Sequence, residues 1–321
     1  MVPVHLLFYF FTCLIGLIIL GKTAGYLVTA VSRLGVFLRL SQFLTGFIIL
    51  GIATSIPETG IAVNSILSGN PQLSLGNLFG ATIVLLSLIA GGTAVFHPNA
   101  IIRDELAHPD RILHIAVLIL SPLILLLDSR LTRLDGVFLI LLYIGYLLYV
   151  YKLRPPDSPP LDENLLNQKF LNTVFLTLVG LIGVVLSSRA VLFSSLRLAT
   201  LLRIPPLVIG TLFLSLGTNI PEISVAIAAI RGRHTNLVIG DILGSAAANT
   251  FIISLLAIFS PFVVNSQIQI EISAIFMVFS LVLFLVFTHS KNRLSYLEGI
   301  VLITLYVAFV TAQISSLTLF K

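Results

Sequence analysis

GFIILGIATSIPETGIAVNSILSGNPQLSLGNLFG (46–80) and GTLFLSLGTNIPEISVAIAAIRGRHTNLVIGDILG (210–244) are two versions of one stretch, in register without a gap. Glu58 and Glu222 stand 164 residues apart, as do Asn77 and Asp241. The same offset pairs Gly46 with Gly210, Thr54 with Thr218, Pro57 with Pro221, Ala62 with Ala226, Gly76 with Gly240 and Gly80 with Gly244. One offset shared by so many Gly, Pro and polar positions argues for internal duplication. Each copy sets Thr-x-Ile-Pro-Glu inside an apolar helix, where neither Pro nor Glu is welcome.

Working outward, the surroundings are greasy. The 321 residues are 57% hydrophobic and 10% charged, with a mean hydropathy of +1.10. Apolar runs of about 20 residues recur from end to end, the length that crosses a bilayer as a helix. The chain is therefore an all-α integral membrane protein, and it lacks the alternating pattern of a membrane β-barrel. Its net charge of +5 reads as loop Lys and Arg that set orientation. No basic run with interleaved aromatics suggests a nucleic-acid partner; membrane lipid and inorganic cations are the partners expected. Cys13, the only cysteine, excludes an internal disulfide and a cysteine metal cluster. Residues 1–21 lack the basic start and cleavage site of a signal peptide and read as the first span.

Hydrophobic segments fall near 4–30, 40–66, 73–96, 111–127, 134–151, 168–188, 205–230, 236–260, 269–289 and 295–318. That is about ten spans. Segments 31–40 and 196–206 carry Arg at helical spacing and are expected to lie along the membrane surface. Four prolines, acids and Asn make 152–168 a linker at the midpoint. Residues 1–151 thus form a first five-helix repeat with motif 46–82, and residues 169–321 a second with motif 210–246. An odd number of spans per half inverts the second half relative to the first, the plan of secondary transporters. Loops after odd-numbered spans carry most Lys and Arg, so the linker is expected in the cytoplasm and both termini outside it. Multi-pass insertion in a prokaryotic inner membrane is expected.

The motifs carry the chemistry. On a helix, Gly51, Thr54, Ser55, Glu58 and Ala62 share one face, and Ser215, Thr218, Asn219, Glu222 and Ala226 share its counterpart. Pro57 and Pro221 bring no N–H to the carbonyls one turn earlier, those of Ala53 and Gly217. Carbonyls, hydroxyls and carboxylates together are what hard cations such as Na⁺ and Ca²⁺ prefer. Gly76 with Gly80 and Gly240 with Gly244 permit close helix contact in lipid. That contact would bring Asn77 and Asp241 against the Pro-Glu helices, so a site of Glu58, Glu222, Asp241 and Asn77 from both halves is expected near the midplane. The six His show no ligand spacing. Asp135 and Glu271 read as interfacial acids and Glu298 as a loop charge.

These residues resemble the cation/calcium exchanger superfamily, in particular a minimal prokaryotic member of its sodium/calcium exchanger branch. The hallmark there is a pair of inverted repeats, each with G-T-S-x-P-E followed by G-N/D-x-x-G-S-N. Here they stand as ATSIPE (53–58) with GNLFGAT (76–82), and LGTNIPE (216–222) with GDILGSA (240–246). The resemblance implies antiport of Ca²⁺ against Na⁺ by alternating access, or against K⁺ or H⁺ as in other branches. It implies ion ligands at Thr54, Ser55, Glu58, Asn77, Thr218, Glu222 and Asp241, with backbone carbonyls near the prolines. Asn219 stands where the pattern has Ser and Ala53 where it has Gly; Ala81–Thr82 alter its last two positions in the first copy, and Ala246 its last in the second.

An enzyme is not expected. There is no Walker motif, no zinc H-E-x-x-H, and neither G-x-G-D nor G-x-S-x-G. No cofactor is expected beyond the transported ions. A Ca²⁺/Na⁺ antiporter is the first reading, an H⁺- or K⁺-coupled exchanger the second, and a cation channel the third. The five-plus-five inverted plan has a direct test. With Cys13 replaced, single cysteines at Ser158 and Lys321 should react with an impermeant maleimide from opposite sides of the membrane. Labelling from one side contradicts the plan.

Overall fold

The computed structural model describes residues 4–67, 69, 71–97, 100–101, 110–128, 130–153, 170–201, 214–232, 234–263, 267–291 and 293–318. Within them, helical stretches follow the apolar segments. They are α1 (Val4–Phe37), α2 (Gln42–Leu67), α3 (Pro71–Ile83, Val84–Ile89 and Ala90–Phe96), α4 (Asp110–Asp128) and α5 (Arg133–Leu153). The second set is α6 (Phe170–Leu201), α7 (Leu214–Thr218 and Ile220–Arg231), α8 (Thr235–Phe259), α9 (Gln267–Lys291) and α10 (Tyr296–Thr318). Eight are long and apolar enough to cross a membrane; the apolar stretch of α4, Val117–Asp128, is shorter. The linker 152–168 falls almost wholly outside the described residues, as does the start of the seventh segment, 202–213.

The core sits around α3 and α8. Of their apolar windows, 83% and 78% are buried, against 18% for α1. Leu75, Leu78, Phe79, Ile83, Leu237, Leu243 and Ile253 of these two helices are fully buried, while Phe8, Phe11, Ile15 and Ile18 of α1 are exposed. In lipid that pattern is stable, because exposed apolar side chains face acyl chains rather than water.

Contacts come in pairs that exchange the halves. Helix α8 packs on α5, and α3 packs on α10. Helix α1 runs along α6, and α4 along α9. The Thr23 and Ser187 hydroxyls, 164 residues apart, meet each other at 3.5 Å between α1 and α6. Two short bridges repeat the pattern. Strand β1 (Ala100–Ile101) pairs with β4 (Arg293–Leu294), and β2 (Arg130–Leu131) with β3 (Phe262–Val263), both antiparallel.

Beyond each bridge a matching helix start went unrecognised in the sequence. RLTRLDG (130–136) and RLSYLEG (293–299) are copies at an offset of 163. Asp135 accepts from the Thr132 amide (2.8 Å) and hydroxyl (2.6 Å), and Glu298 from the Ser295 amide and hydroxyl (both 2.8 Å). These are capping boxes that begin α5 and α10. Asp135 and Glu298 therefore close helix ends rather than float as interfacial or loop charges.

The change of offset locates one extra residue. Gly80 and Gly244 keep 164, while AVFHP (94–98) matches AIFSP (257–261) at 163. The insertion thus lies inside α3, where Val84–Ile89 forms a π turn; α8 is regular over its whole length. A π turn takes up one added residue without breaking the helix.

Two expectations are corrected. Residues 31–37 and 196–201 do not form separate surface segments but continue α1 and α6. Val31 and Leu34 are buried, which a surface-lying segment does not require. Arg189 and Arg197, read as loop charges, lie within α6.

Glycine sets the distance between α2 and α8. A Cβ on Gly240 would stand 2.2 Å from Phe43 O, and one on Gly244 2.2 Å from Phe47 O. From the other side, a Cβ on Gly46 would meet Leu237 O at 2.1 Å, and one on Gly51 the Gly244 backbone at 2.6 Å. Bare backbone meets bare backbone, as the spacing of Gly240 and Gly244 implied, whereas Gly76 of the matching pair has open space where a Cβ would go. Gly21, by contrast, has open space where a Cβ would go. Gly244→Ala should therefore cost about 1–3 kcal/mol through forced separation of the two helices, and Gly21→Ala nothing. Thermal melting of the detergent-purified variants measures the difference; equal midpoints would remove the glycine contact as the cause.

Candidate functional site

Both Pro-Glu helices break at the same point. The run Gly51–Thr54 ends, Ser55 takes φ −78° and ψ 9°, and helix resumes at Ile56. In α7, Asn219 takes φ −87° and ψ 6° before Ile220. Proline is the cause. It has no N–H to continue the ladder and is favoured in the first turn of a new helix. Glu58 and Glu222 consequently occupy the first turn of the second segments, where unpaired N–H groups favour negative charge.

Side chains around each break bond back to the backbone. The Ser55 hydroxyl donates to Gly51 O (2.8 Å), and the Asn219 Nδ2 to Ser215 O (2.8 Å). The Thr54 hydroxyl meets Leu50 O (3.0 Å), Asp241 Oδ1 (3.4 Å) and the Ser245 hydroxyl (3.2 Å). Thr218 lies 3.3 Å from Ser215 O and 3.5 Å from Asn77 Oδ1. Thr54–Asp241 and Thr218–Asn77 are therefore one interaction made twice, across the two helix pairs. Both contacts cross between halves: Thr54 and Asn77 come from the first, Asp241 and Thr218 from the second.

The structure thus brings Thr54 to Asp241 and Thr218 to Asn77, with Ser55 and Glu58 beside the first break and Asn219 and Glu222 beside the second, all eight nearly inaccessible to solvent. Gly217 is buried and Ala53 partly so, each one turn before a proline that cannot donate to its carbonyl.

Charge and hydrogen bonding in this cluster are unbalanced. Among the described residues no basic side chain forms an ion pair with Glu58, Glu222 or Asp241. Glu58 Oε2, Glu222 Oε2, Asn219 Oδ1 and Asn249 Oδ1 are buried acceptors without a donor. Leaving such groups unpaired costs about 1–3 kcal/mol each, and more when charged. A cation removes that cost at several oxygens at once. Among the described residues no three carboxylate, imidazole or thiol groups close on one point. The donor set is mixed: carboxylates with hydroxyl, amide and carbonyl oxygens, which suits a hard cation rather than zinc. Asn77 is the exception, since its unpartnered atom is Nδ2 and its oxygen faces Thr218.

Two polar neighbours escaped the sequence reading as site residues. Ser245 touches Thr54 and also reaches Gly51 O at 3.4 Å. Asn249 stands one turn further along α8. The signal was present: Asp241, Ser245 and Asn249 recur every four residues, one face of a helix that is otherwise small and apolar.

The family model described as sodium/calcium exchanger protein matches residues 8–152 and 172–315. An uncharacterized membrane protein of Methanocaldococcus jannaschii is 28% identical over 296 residues, covering 92% of this chain and 94% of its own. The sodium/calcium exchanger MaX1 of Methanosarcina acetivorans is 26% identical over 342 residues, covering 94% and 97%. A solved structure of the sodium-calcium exchanger NCX_Mj superposes with a TM-score of 0.83 at 23% identity, over 95% of this chain and 98% of that one.

A cation that engages the orphan oxygens should stabilise the folded protein. At a hundred times its dissociation constant, Ca²⁺ should add about 2.7 kcal/mol, read as a rise in melting midpoint. Glu58→Gln should abolish the rise. A variant that Ca²⁺ stabilises as fully as wild type would remove Glu58 from the site.

Proposed function

The chain belongs to the sodium/calcium exchanger family, and we propose that it is a secondary active antiporter exchanging Ca²⁺ for Na⁺ by alternating access. One observation carries this reading. Three buried carboxylates have no basic partner among the described residues, and the acceptors Glu58 Oε2, Glu222 Oε2, Asn219 Oδ1 and Asn249 Oδ1, drawn from both halves, have no donor. Carboxylates supply the formal charge that Ca²⁺ needs after losing its water, and neutral oxygens complete its coordination. Na⁺, with half the charge, can use the same oxygens one ion at a time. Competition of two kinds of ion for one set of donors is the physical basis of exchange.

In this reading Glu58 and Glu222 are the principal ligands, joined by Asp241, Thr54, Ser55, Thr218, Asn219 and the Ala53 and Gly217 carbonyls. Asn77 enters through its oxygen. Asn249 Oδ1 is added on the evidence of its orphan state. Residues 1–151 and 169–321 act as two repeats of opposite orientation joined by a cytoplasmic linker, 152–168. Contacts that exchange the halves at offsets of 163 and 164 support this plan. The broken helices α2 and α7 present ligands near the middle of the membrane, as discontinuous helices do in other transporters. The inner membrane of a prokaryotic cell is the proposed location. No catalytic group or cofactor enters the scheme.

Flux into proteoliposomes tests it. Loaded with Na⁺ and diluted into K⁺ medium, they should accumulate ⁴⁵Ca²⁺, and Glu222→Gln should reduce uptake to the level of empty vesicles. Accumulation driven by a pH or K⁺ gradient instead would reassign the coupling ion. Ca²⁺ entry that needs no counter-ion would make the protein a channel.

A further inference from the structure

Thr82 and Asn249 join the two halves outside the carboxylate cluster. Thr82 lies near the middle of α3, Asn249 within α8, and both are buried. Asn249 Nδ2 donates to Thr82 Oγ1 at 3.1 Å, and Thr82 Oγ1 donates to Leu78 O at 2.9 Å.

The donor count fixes which end of the amide faces which way. A hydroxyl carries one hydrogen. That of Thr82 is committed to the Leu78 carbonyl, so toward Asn249 it can only accept. The amide must then offer its NH₂ to Thr82 and turn its oxygen away. Asn249 Oδ1 is indeed buried and without a protein donor. It sits one turn beyond Ser245 and two beyond Asp241 on α8, and Ser245 touches Thr54 in the site.

We infer that Thr82 is a positioning residue for cation binding: from the first half it holds the Asn249 amide of the second half with its oxygen presented to the ion. The inference rests on the antiport reading and deepens it. The arrangement exists once, not twice. At the offset of 164, Thr82 corresponds to Ala246 and Asn249 to Leu85, neither of which can form such a pair. The site is thus lopsided. Helix α8 brings Asp241, Ser245 and Asn249, while α3 brings Asn77 and, through Thr82, the orientation of its opponent's amide. The extra residue in the π turn Val84–Ile89 lies just beyond Thr82, so α3 departs from its counterpart from this level onward.

The test uses the full chain in proteoliposomes and reads two quantities separately, the cation concentration giving half-maximal exchange and the maximal rate. Partners that orient a metal ligand typically change affinity about 10–100-fold when removed. Thr82→Val should raise the half-saturating Ca²⁺ concentration about tenfold, and Thr82→Ser, which keeps the hydroxyl, should restore it. Thr82→Ala removes the same hydroxyl without a branched replacement and serves if the valine variant does not fold. Adding Thr82→Val to Asn249→Ala should cost nothing more, since the residue it orients is already gone. Three results would overturn the inference: wild-type half-saturation in the folded Val or Ala variant, effects that multiply in the double variant, or a loss confined to yield and melting midpoint. Wild-type vesicles that show no cation exchange would overturn the antiport reading and this inference together; exchange by wild type with unchanged half-saturation in Thr82→Val overturns this inference alone.

Discussion

Negative charge without a protein counter-charge, placed where water is excluded, is the constraint on which this structure turns. Glu58, Glu222 and Asp241 are each about 1% exposed, and no basic side chain among the described residues pairs with them. A buried charge of this kind is costly unless something compensates it. Part of the compensation is built in. Helix breaks at Ser55 and Asn219 put both glutamates at the N-terminal turn of a helix, and Thr54 from the opposite half donates toward Asp241. In the antiport we propose, a cation supplies the remainder at the orphan oxygens.

That arrangement demands close helix packing. Carboxylate and hydroxyl groups are short, so α2 and α8 must approach until backbones touch before Thr54 can meet Asp241. Gly46, Gly51, Gly240 and Gly244 allow it, because none presents a Cβ at the contact. The short bridges β1–β4 and β2–β3 tie helix ends of one half to those of the other, and the capping boxes at Thr132 and Ser295 start the helices that follow two of those strands. Tight contacts at the site and fixed ends around it are complementary: the first sets ligand distances, the second keeps the helices that carry the ligands in register.

Duplication explains much of the design, but the departures from it matter as much. At the offset of 164, Asp241 corresponds to Asn77, Ser245 to Ala81, and Asn249 to Leu85. Charge and polar donors therefore concentrate on α8. A site built from two identical halves would hold ligands in equal pairs; this one gains a graded environment, charged on one side and neutral on the other. The π turn in α3 breaks the equivalence further by shifting every residue after it by one place.

Membrane insertion, the internal repeat and the main residues we propose for the site were legible in the sequence alone. Hydropathy and helix length are local properties, and Pro-Glu in an apolar helix at a repeated offset is conspicuous in any order of packing. The capping boxes at Asp135 and Glu298 were legible too, since their signature spans four residues, but they were read as stray charges. Other features could only come from tertiary structure. Whether residues 31–37 leave α1 or continue it depends on what α6 and α7 offer as a packing surface. Which hydroxyl reaches which carboxylate depends on two helices from different halves crossing at glycine. The orphan oxygen of Asn249 depends on Thr82, 167 residues away, whose own hydrogen is already committed to Leu78. Sequence specifies which groups are present and on which helix face; only the folded chain decides which of them are left without a partner, because hydrogen bonding is settled by distance across helices and not by spacing along them.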